Sequence, residues 1–262
     1  GDSNLNIFHS NVNGLENKLD ILQNIIADSD PNNNLEIVSI SETSEQSDRS
    51  FLSNVSLDGF SLFHTPTNSS KGGTALYVKN IYKPIERNDL KFQGDSFESV
   101  WVEISNKNSK NILCGSLYRH PNYDMTDFMV YMESTLKTIA NENKEIYICG
   151  DFNVDLLKLN DNENYHNFYN MLNSYGFLPL ILHPTRVVDK QEPSIIDNIF
   201  SNNITDMIES GNIYFTLSEH FSQFASINRK KLESKTTARF TRDFSNYCAN
   251  DFRCEMVAQN WN

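Results

Sequence analysis

Glu145-Ile146-Tyr147-Ile148-Cys149-Gly150-Asp151-Phe152-Asn153 is the stretch on which the fold turns. It reads as a short buried strand that stops at Gly150 and then presents two polar side chains. Asp151 and Asn153 are two residues apart, so in extended backbone both point to the same side. A carboxylate and an amide aimed together from a strand end can hold a water, a metal or a phosphate oxygen. A strand followed by an Asp/Asn-rich turn uses the same residue types. The rest of the chain has to decide between the two readings.

At 262 residues the chain fits one large α/β domain as well as two small ones. No apolar run approaches the roughly 18 residues of a membrane span, so no membrane partner is expected. The polar beginning shows no signal-peptide core. The first residue is Gly1 rather than Met, as in a fragment or a processed product. A net charge of −12 argues against a general electrostatic grip on nucleic acid. It still leaves room for a nucleic-acid enzyme, because a divalent-cation site is itself acidic and local basic patches can dock a polyanion. Cys114 and Cys149 sit inside apolar strands and read as core. With no Cys-x-x-Cys pair a zinc ribbon is disfavoured, and the pattern suits a reducing intracellular compartment.

Outward from the opening stretch, Leu5 to His9 forms a first strand ending in Ser10-Asn11. Leu15, Leu19, Leu22, Ile25 and Ile26 recur at helical spacing as far as about Ala27, where Asp30-Pro31 breaks the pattern. Leu35 to Ser41 is a second strand ending at Glu42, and a polar loop runs from Thr43 to about Arg49. Phe60 to His64 pairs with Thr74 to Val78. The loop between them carries Lys71-Gly72-Gly73, readable as a phosphate loop or, more simply, as a hairpin turn. Ser99 to Ile104 and Asn111 to Tyr118 make another hairpin. Met125, Phe128, Met129, Met132, Leu136 and Ile139 line one helix face as core packing, with Asp124 as a cap. Tyr165 to Leu172 is a further helix stopped at Tyr175-Gly176. Ser194 to Ser201, Asn212 to Leu217 and Gln223 to Ile227 are the last strands. Residues 1–228 therefore form one domain, and 229–262 read as a basic linker leading into a truncated downstream region.

Strands and helices alternate irregularly and several neighbouring strands form hairpins, which points to mixed rather than purely parallel sheets. With about ten strands, the expected architecture is a four-layered α/β sandwich, two mixed β-sheets face to face and flanked by helices. Strands repeatedly end at, or pass, a group with catalytic potential: Asn11, Glu42, Tyr118, Asp151 with Asn153, Asp197, and Glu219-His220. Each alone is an ordinary surface or core residue. Together they matter, because loops at one edge of a sheet converge in space.

The order and wording of these segments resemble the endonuclease/exonuclease/phosphatase superfamily, which includes apurinic endonucleases and DNase I. The resemblance rests on Asn11-Val12-Asn13-Gly14-Leu15, Ser41-Glu42-Thr43, Tyr118-Arg119, Gly150-Asp151-Phe152-Asn153, Ile196-Asp197-Asn198-Ile199-Phe200 and Ser218-Glu219-His220. Lys71-Gly72-Gly73-Thr74-Ala75-Leu76-Tyr77, Tyr118-Arg119-His120-Pro121-Asn122 and Pro184-Thr185-Arg186 look most like the endonuclease domain of a non-LTR (LINE-type) retrotransposon polyprotein.

The resemblance implies a DNase I-like fold and hydrolysis of phosphoester bonds with Mg²⁺, or Mn²⁺ in its place. Glu42 would ligate the metal, with Asn11 and Glu219 beside it. Asp151 would orient the attacking water. Asn153 and Tyr118 would donate to phosphate oxygens, and His220 would contact the phosphate with Asp197 fixing its tautomer. Lys71, Arg119 and Arg186 would contact DNA. The element's reverse transcriptase, encoded downstream, would be the partner, with no obligate protein partner otherwise, and the nucleus the place of action. One position departs from the family's Ser-Asp-His: Glu219 carries an extra methylene and must coil back to reach a metal or its waters. A same-fold phosphatase on a small or lipid phosphoester, or a weakened DNA-binding remnant, are the alternatives.

Overall fold

The computed structural model describes residues 4–28, 35–45, 49–106, 110–203 and 207–228, together with 254 and 257–259. The chain divides into two compact units, Gly1–Lys230 and Lys231–Asn262. Every sheet and helix named below lies in the first. The basic stretch from Arg229 to Arg242 and the break at Asp30-Pro31 lie outside the described residues.

The elements run β1 (Leu5–Asn11), α1 (Leu19–Asp28), β2 (Ile37–Ser41), α2 (Arg49–Asn54), β3 (Phe60–Thr65), β4 (Thr74–Lys79), β5 (Ile85–Glu86), β6 (Phe92–Gln93), β7 (Phe97–Ile104) and β8 (Ile112–Arg119). They continue as α3 (Thr126–Ala140), β9 (Glu145–Asp151), α4 (Glu163–Ser174), β10 (Leu178–Pro179), β11 (Asp197–Ser201), β12 (Met207–Thr216) and β13 (Phe221–Asn228). One sheet has the order β12-β13-β1-β2-β4-β3, and the other β10-β11-β9-β8-β7-β5 with β6 also on β7.

The two sheets pack face to face on an apolar layer that includes Ile7, Ile37, Val78, Val102, Cys114 and Cys149. Outside the first sheet, Phe8, Val38 and Ile40 meet Leu22 and Phe51 from α1 and α2. Outside the second, Trp101, Leu117 and Ile148 meet Phe128, Met132 and Leu136 of α3 and Phe168 and Leu172 of α4. The expected four-layered sandwich is therefore the observed fold. Both sheets are mixed, each with one parallel pair, β1/β2 and β8/β9. The methionine stripe of α3 is core: Met132 has no exposed surface. No helix among the described residues is long and apolar enough to cross a membrane.

Several local expectations change. The first helix opens with a 3-10 turn, Glu16–Lys18, before α1. The polar loop after Glu42 ends in the short helix α2, which has no long apolar period to betray it. Strand β11 starts at Asp197, not Ser194, because Ser194 bridges instead to Arg186. Strand β12 begins at Met207, earlier than Asn212.

The Gly72-Gly73 pair, with φ of 123° and 80°, belongs to the turn leading into β4. Its carbonyls accept from the backbone N–H groups of Ser44 and Thr43, at 2.8 and 3.3 Å. Side chains there would strike His120, Thr67 and Thr43. These glycines thus let the Glu42 loop come close.

Candidate active site

The mixed topology gathers the polar strand ends. In each parallel pair the carboxyl ends lie side by side, Asn11 opposite Ser41 and Tyr118 opposite Asp151. The antiparallel outer neighbours bring their starts to the same edge. Asp197, first residue of β11, lies opposite Asp151, and His220 immediately precedes β13, which pairs with β1. Ser218 Oγ donates to the Asn11 carbonyl at 2.6 Å and ties the His220 turn to β1. Gly150 is required just before Asp151, because any Cβ there would run into the Leu117 carbonyl of β8.

Asp151, Asp197 and His220 form the buried floor, with ligand-type atoms all within 4.8 Å of one another. His220 Nδ1 lies 2.9 Å from Asp197 Oδ2 and 3.8 Å from Asp151 Oδ2. Thr185 Oγ1 donates to the same Asp197 oxygen at 2.8 Å. The two carboxyl groups titrate in opposite directions. Burial, with repulsion from Asp197, pushes Asp151 up to about 7, against the pull of His220 and the Asn11 amide. Burial also disfavours the Asp197 charge, but His220 and His9 outweigh it and hold Asp197 well below the usual carboxylate range. Burial works against charge on His220, yet Asp197, then Asp151 and Glu42, lift it to about 9. At neutral pH this makes His220 a cation held by Asp197, with Asp151 near its point of ionisation. Splitting two neighbouring carboxyl groups in this way assigns them different jobs.

Glu42, Asn11 and Tyr118 form the adjoining wall. Glu42 Oε1 accepts from Asn11 Nδ2 at 3.0 Å and from the Tyr118 hydroxyl at 2.9 Å. Asn11 Nδ2 also donates to Asp151 Oδ2 at 2.9 Å, so it bridges the two carboxylates. Burial, then the Glu42 and Asp151 charges, raise Tyr118 far above its ordinary range and keep its hydroxyl a donor. Glu42 sits at φ 56°, a strained conformation for a side-chain-bearing residue. The bonds of its loop to Gly72, Gly73 and Gly14 hold it there.

A hard divalent cation fits this wall. Among the described residues Glu42 Oε2 accepts no hydrogen bond, and the Asp151 carboxylate, bridged to Glu42 by Asn11 Nδ2, supplies further oxygens beside it. The floor fits less well, because His220 Nδ1 is engaged by Asp197.

Asn11, Glu42, Tyr118, Asp151, Asp197 and His220 thus come together; other expected site residues do not. Asn11 presents its amide nitrogen, while its oxygen accepts from Asn13 N at 3.2 Å, so it spaces the carboxylates rather than offering a metal ligand. Asn153 lies at φ 48° beside the site, with its amide donating to the Arg119 carbonyl at 2.6 Å. Arg119 is 3% exposed. Its guanidinium donates to the carbonyls of Phe152, His120, Tyr123 and Asn153, so it braces the loop after Asp151 instead of reaching DNA. Glu219 turns away from the floor, and its carboxylate, 66% exposed, meets Arg186 at 2.9 Å instead of a metal site. Arg186 stands on the rim through this bond and a backbone bridge to His220. Lys71 is exposed on its hairpin. Thr185, Ser41 and His9 stand behind these groups, at positions that the strand-end pattern does not mark. Thr185 and Ser41 steady Asp197 and the Asp151 backbone.

The model of the Endonuclease/Exonuclease/phosphatase family matches residues 4–205, and the chain belongs to that family, whose members hydrolyse phosphoester bonds. No curated protein sequence matches the chain. Among solved structures, the endonuclease domain of TRAS1, a telomere-specific non-LTR retrotransposon, is similar at TM-score 0.65 and 15% identity, covering 86% of this chain and 98% of that one. The AP endonuclease LMAP from Leishmania major is similar at TM-score 0.70 and 13% identity, over 87% and 89%. The 3′ phosphatase NExo from Neisseria, bound to a product DNA hairpin, is similar at TM-score 0.59 and 11% identity, over 85% and 99%. These likenesses show a shared DNase I-like fold.

Proposed function

We propose that this chain is a Mg²⁺-dependent DNA endonuclease that nicks target DNA for retrotransposon insertion. The observation that carries the reading is the single cleft in which Asn11, Glu42 and Tyr118 adjoin Asp151, Asp197 and His220. Asp151 orients and deprotonates the attacking water. His220, charged and held by Asp197, presents its other ring nitrogen to the scissile phosphate. Tyr118 and Asn153 donate to phosphate oxygens, Asn153 after releasing the Arg119 carbonyl. Glu42 would hold the Mg²⁺, which supplies charge to offset that developing on the phosphate and leaving oxygen. Arg186 and Lys71 face the DNA backbone. The free 3′-hydroxyl left by the nick would prime a reverse transcriptase of the same element, in the nucleus. The match of the Lys71-Gly72-Gly73, Tyr118-Arg119-His120 and Pro184-Thr185-Arg186 phrases to LINE-type elements supports the subgroup.

The test is conversion of supercoiled plasmid to open circle. Nicking is expected with Mg²⁺ and none with EDTA. Asp151→Ala and His220→Ala should each lower the rate by about 10²–10⁴-fold. Nicking that survives either substitution overturns the site assignment. Phosphate release from small phosphoesters without nicking overturns the endonuclease reading in favour of a phosphatase.

A further inference from the structure

Behind Asp197 stands a second histidine. His9, on β1, has no exposed surface. Its Nε2 lies 3.9 Å from Asp197 Oδ1, and neither atom has a hydrogen-bond partner among the described residues. The other Asp197 oxygen already takes both His220 Nδ1 and Thr185 Oγ1. A buried polar atom left unpaired costs about 1–3 kcal/mol. Two of them facing one another therefore mark an interaction the fold maintains, rather than indifferent packing.

On its far side His9 begins a chain of hydroxyls through the layer between the sheets. Nδ1 is 2.9 Å from Ser39 Oγ on β2. Ser39 Oγ is 2.8 Å from Ser116 Oγ on β8, which is 2.6 Å from Thr74 Oγ1 on β4. Thr74 Oγ1 also lies 3.1 Å from the Ile40 carbonyl. Each hydroxyl has one hydrogen. Run toward the histidine, the hydrogens go from Thr74 to Ser116, from Ser116 to Ser39 and from Ser39 to His9 Nδ1, which leaves the ring proton of a neutral His9 on Nε2, facing Asp197 Oδ1. This order fixes the rotation of the ring and aims Nε2 at Asp197. The chain draws on strands of both sheets, so the aim is built into the packing of the sandwich.

We propose that His9 is a positioning residue for the Asp197–His220 pair. It holds Oδ1 of Asp197 so that Oδ2 stays in line with His220 Nδ1, and the Ser39–Ser116–Thr74 chain anchors it from behind. Without that hold the Asp197 carboxylate can rotate, and His220 loses its orientation toward the phosphate. The activity arm of the test rests on the nuclease reading; the spectroscopic arm does not.

Asparagine and glutamine separate the two ends of the ring. The Asn amide occupies the place of Nδ1, and the Gln amide that of Nε2. His9→Asn therefore keeps the Ser39 contact and abandons Asp197, whereas His9→Gln keeps a donor at Asp197. Each variant is followed by plasmid nicking with Mg²⁺ and by the downfield imidazole proton resonance of His220 Nδ1–H. We expect His9→Asn to lower kcat by about 10–100-fold with KM unchanged, as removal of an orienting partner does. His9→Gln should return to within about fivefold of the parent. The resonance should persist in the parent and in His9→Gln, and be displaced or broadened in His9→Asn.

Parental kcat with an unmoved resonance in His9→Asn overturns the proposal. Equal losses in both variants also overturn it, because His9 would then merely fill space. If His9→Asn does not melt cooperatively, Ser39→Ala replaces it. That variant loosens the anchor and should shift the same resonance with a smaller loss of kcat; an unmoved resonance again overturns the proposal. A parent that does not nick plasmid at all would defeat the nuclease reading, and the resonance alone would then decide the role of His9.

Discussion

On the floor of the cleft, Asp197 is fully buried and takes hydrogen bonds from His220 and Thr185. On the rim, Glu219 is 66% exposed and meets Arg186. Both are carboxylates within one turn or strand start of His220. On the floor Asp197 Oδ2 is held from two directions, and low local dielectric makes each contact count. On the rim one ion pair faces water, where such pairs contribute about 0–1 kcal/mol. The difference teaches that sequence adjacency to His220 does not place a residue on the floor of the cleft. Substitutions should separate the two regions by orders of magnitude.

The largest effect is expected at Asp151. On the proposed reading Asp151 is the base; asparagine preserves its shape and cannot take the proton, so nicking should fall by about 10³-fold or more. The same change removes a carboxyl group that burial and Asp197 have pushed up to about 7. Neutralising a charge that the fold resists should raise Tm by several degrees at pH 8, measured by thermal melting. A lower Tm would show that the Asp151 charge stabilises the floor, contrary to the direction of its shift.

Arg119 comes next. Its four carbonyl contacts make it a brace under the loop that carries Phe152 and Asn153. Arg119→Lys keeps the charge but loses the planar fork. Leaving buried carbonyls unpaired should cost about 3 kcal/mol of stability in urea unfolding. DNA affinity per folded molecule should stay near that of the parent. A drop in affinity with unchanged stability would return Arg119 to the DNA surface.

A pH series probes the floor with a smaller lever. The pKa of His220 in the folded chain is raised to about 9. Its charge therefore stabilises the fold fully below the unfolded value near 6.5. That contribution is lost as pH rises through about 9. Between pH 7 and 10 the metal-free parent should lose more stability than His220→Gln, by at most about 1.4 kcal/mol per pH unit. Parallel stability curves for the two proteins would remove the ion pair from the floor.

Much of this arrangement was legible because the strands carry their own punctuation. Apolar, β-branched runs stop at a polar residue at Asn11, Glu42, Asp151 and before His220, and mixed topology brings those stops to one edge. Alternation held more than motif matching drew from it. Tyr118 faces the cleft, so Arg119, the next residue along the strand, must point away from it. By the same rule His9 shares the face of Asn11, which is the local signal for its place behind Asp197. What could not be read depends on partners remote in sequence or on very short elements. Strands β5, β6 and β10 are two residues each, too short for a period. The direction taken by Glu219 depends on an arginine 33 residues earlier, whose position only the folded loop supplies.

Glu219 gives the smallest and most discriminating change. Family resemblance suggests that restoring aspartate should equal or improve the rate, since the shorter carboxylate would regain a metal or its waters. The observed ion pair argues differently. Aspartate at this position shortens the reach to Arg186 and loosens a rim contact, without touching Asp151, Asp197 or His220. Glu219→Asp should therefore leave kcat within about threefold of the parent, as expected of an exposed pair. Its effect should appear in KM and vanish at high salt, where screening shortens the reach of exposed charges. Glu219→Gln should behave alike, because both variants free Arg186 from its partner. A kcat gain well beyond threefold in the aspartate variant alone would show that the carboxylate swings down to the metal wall in the working enzyme. The boundary between floor and rim would then have to be drawn on the other side of residue 219.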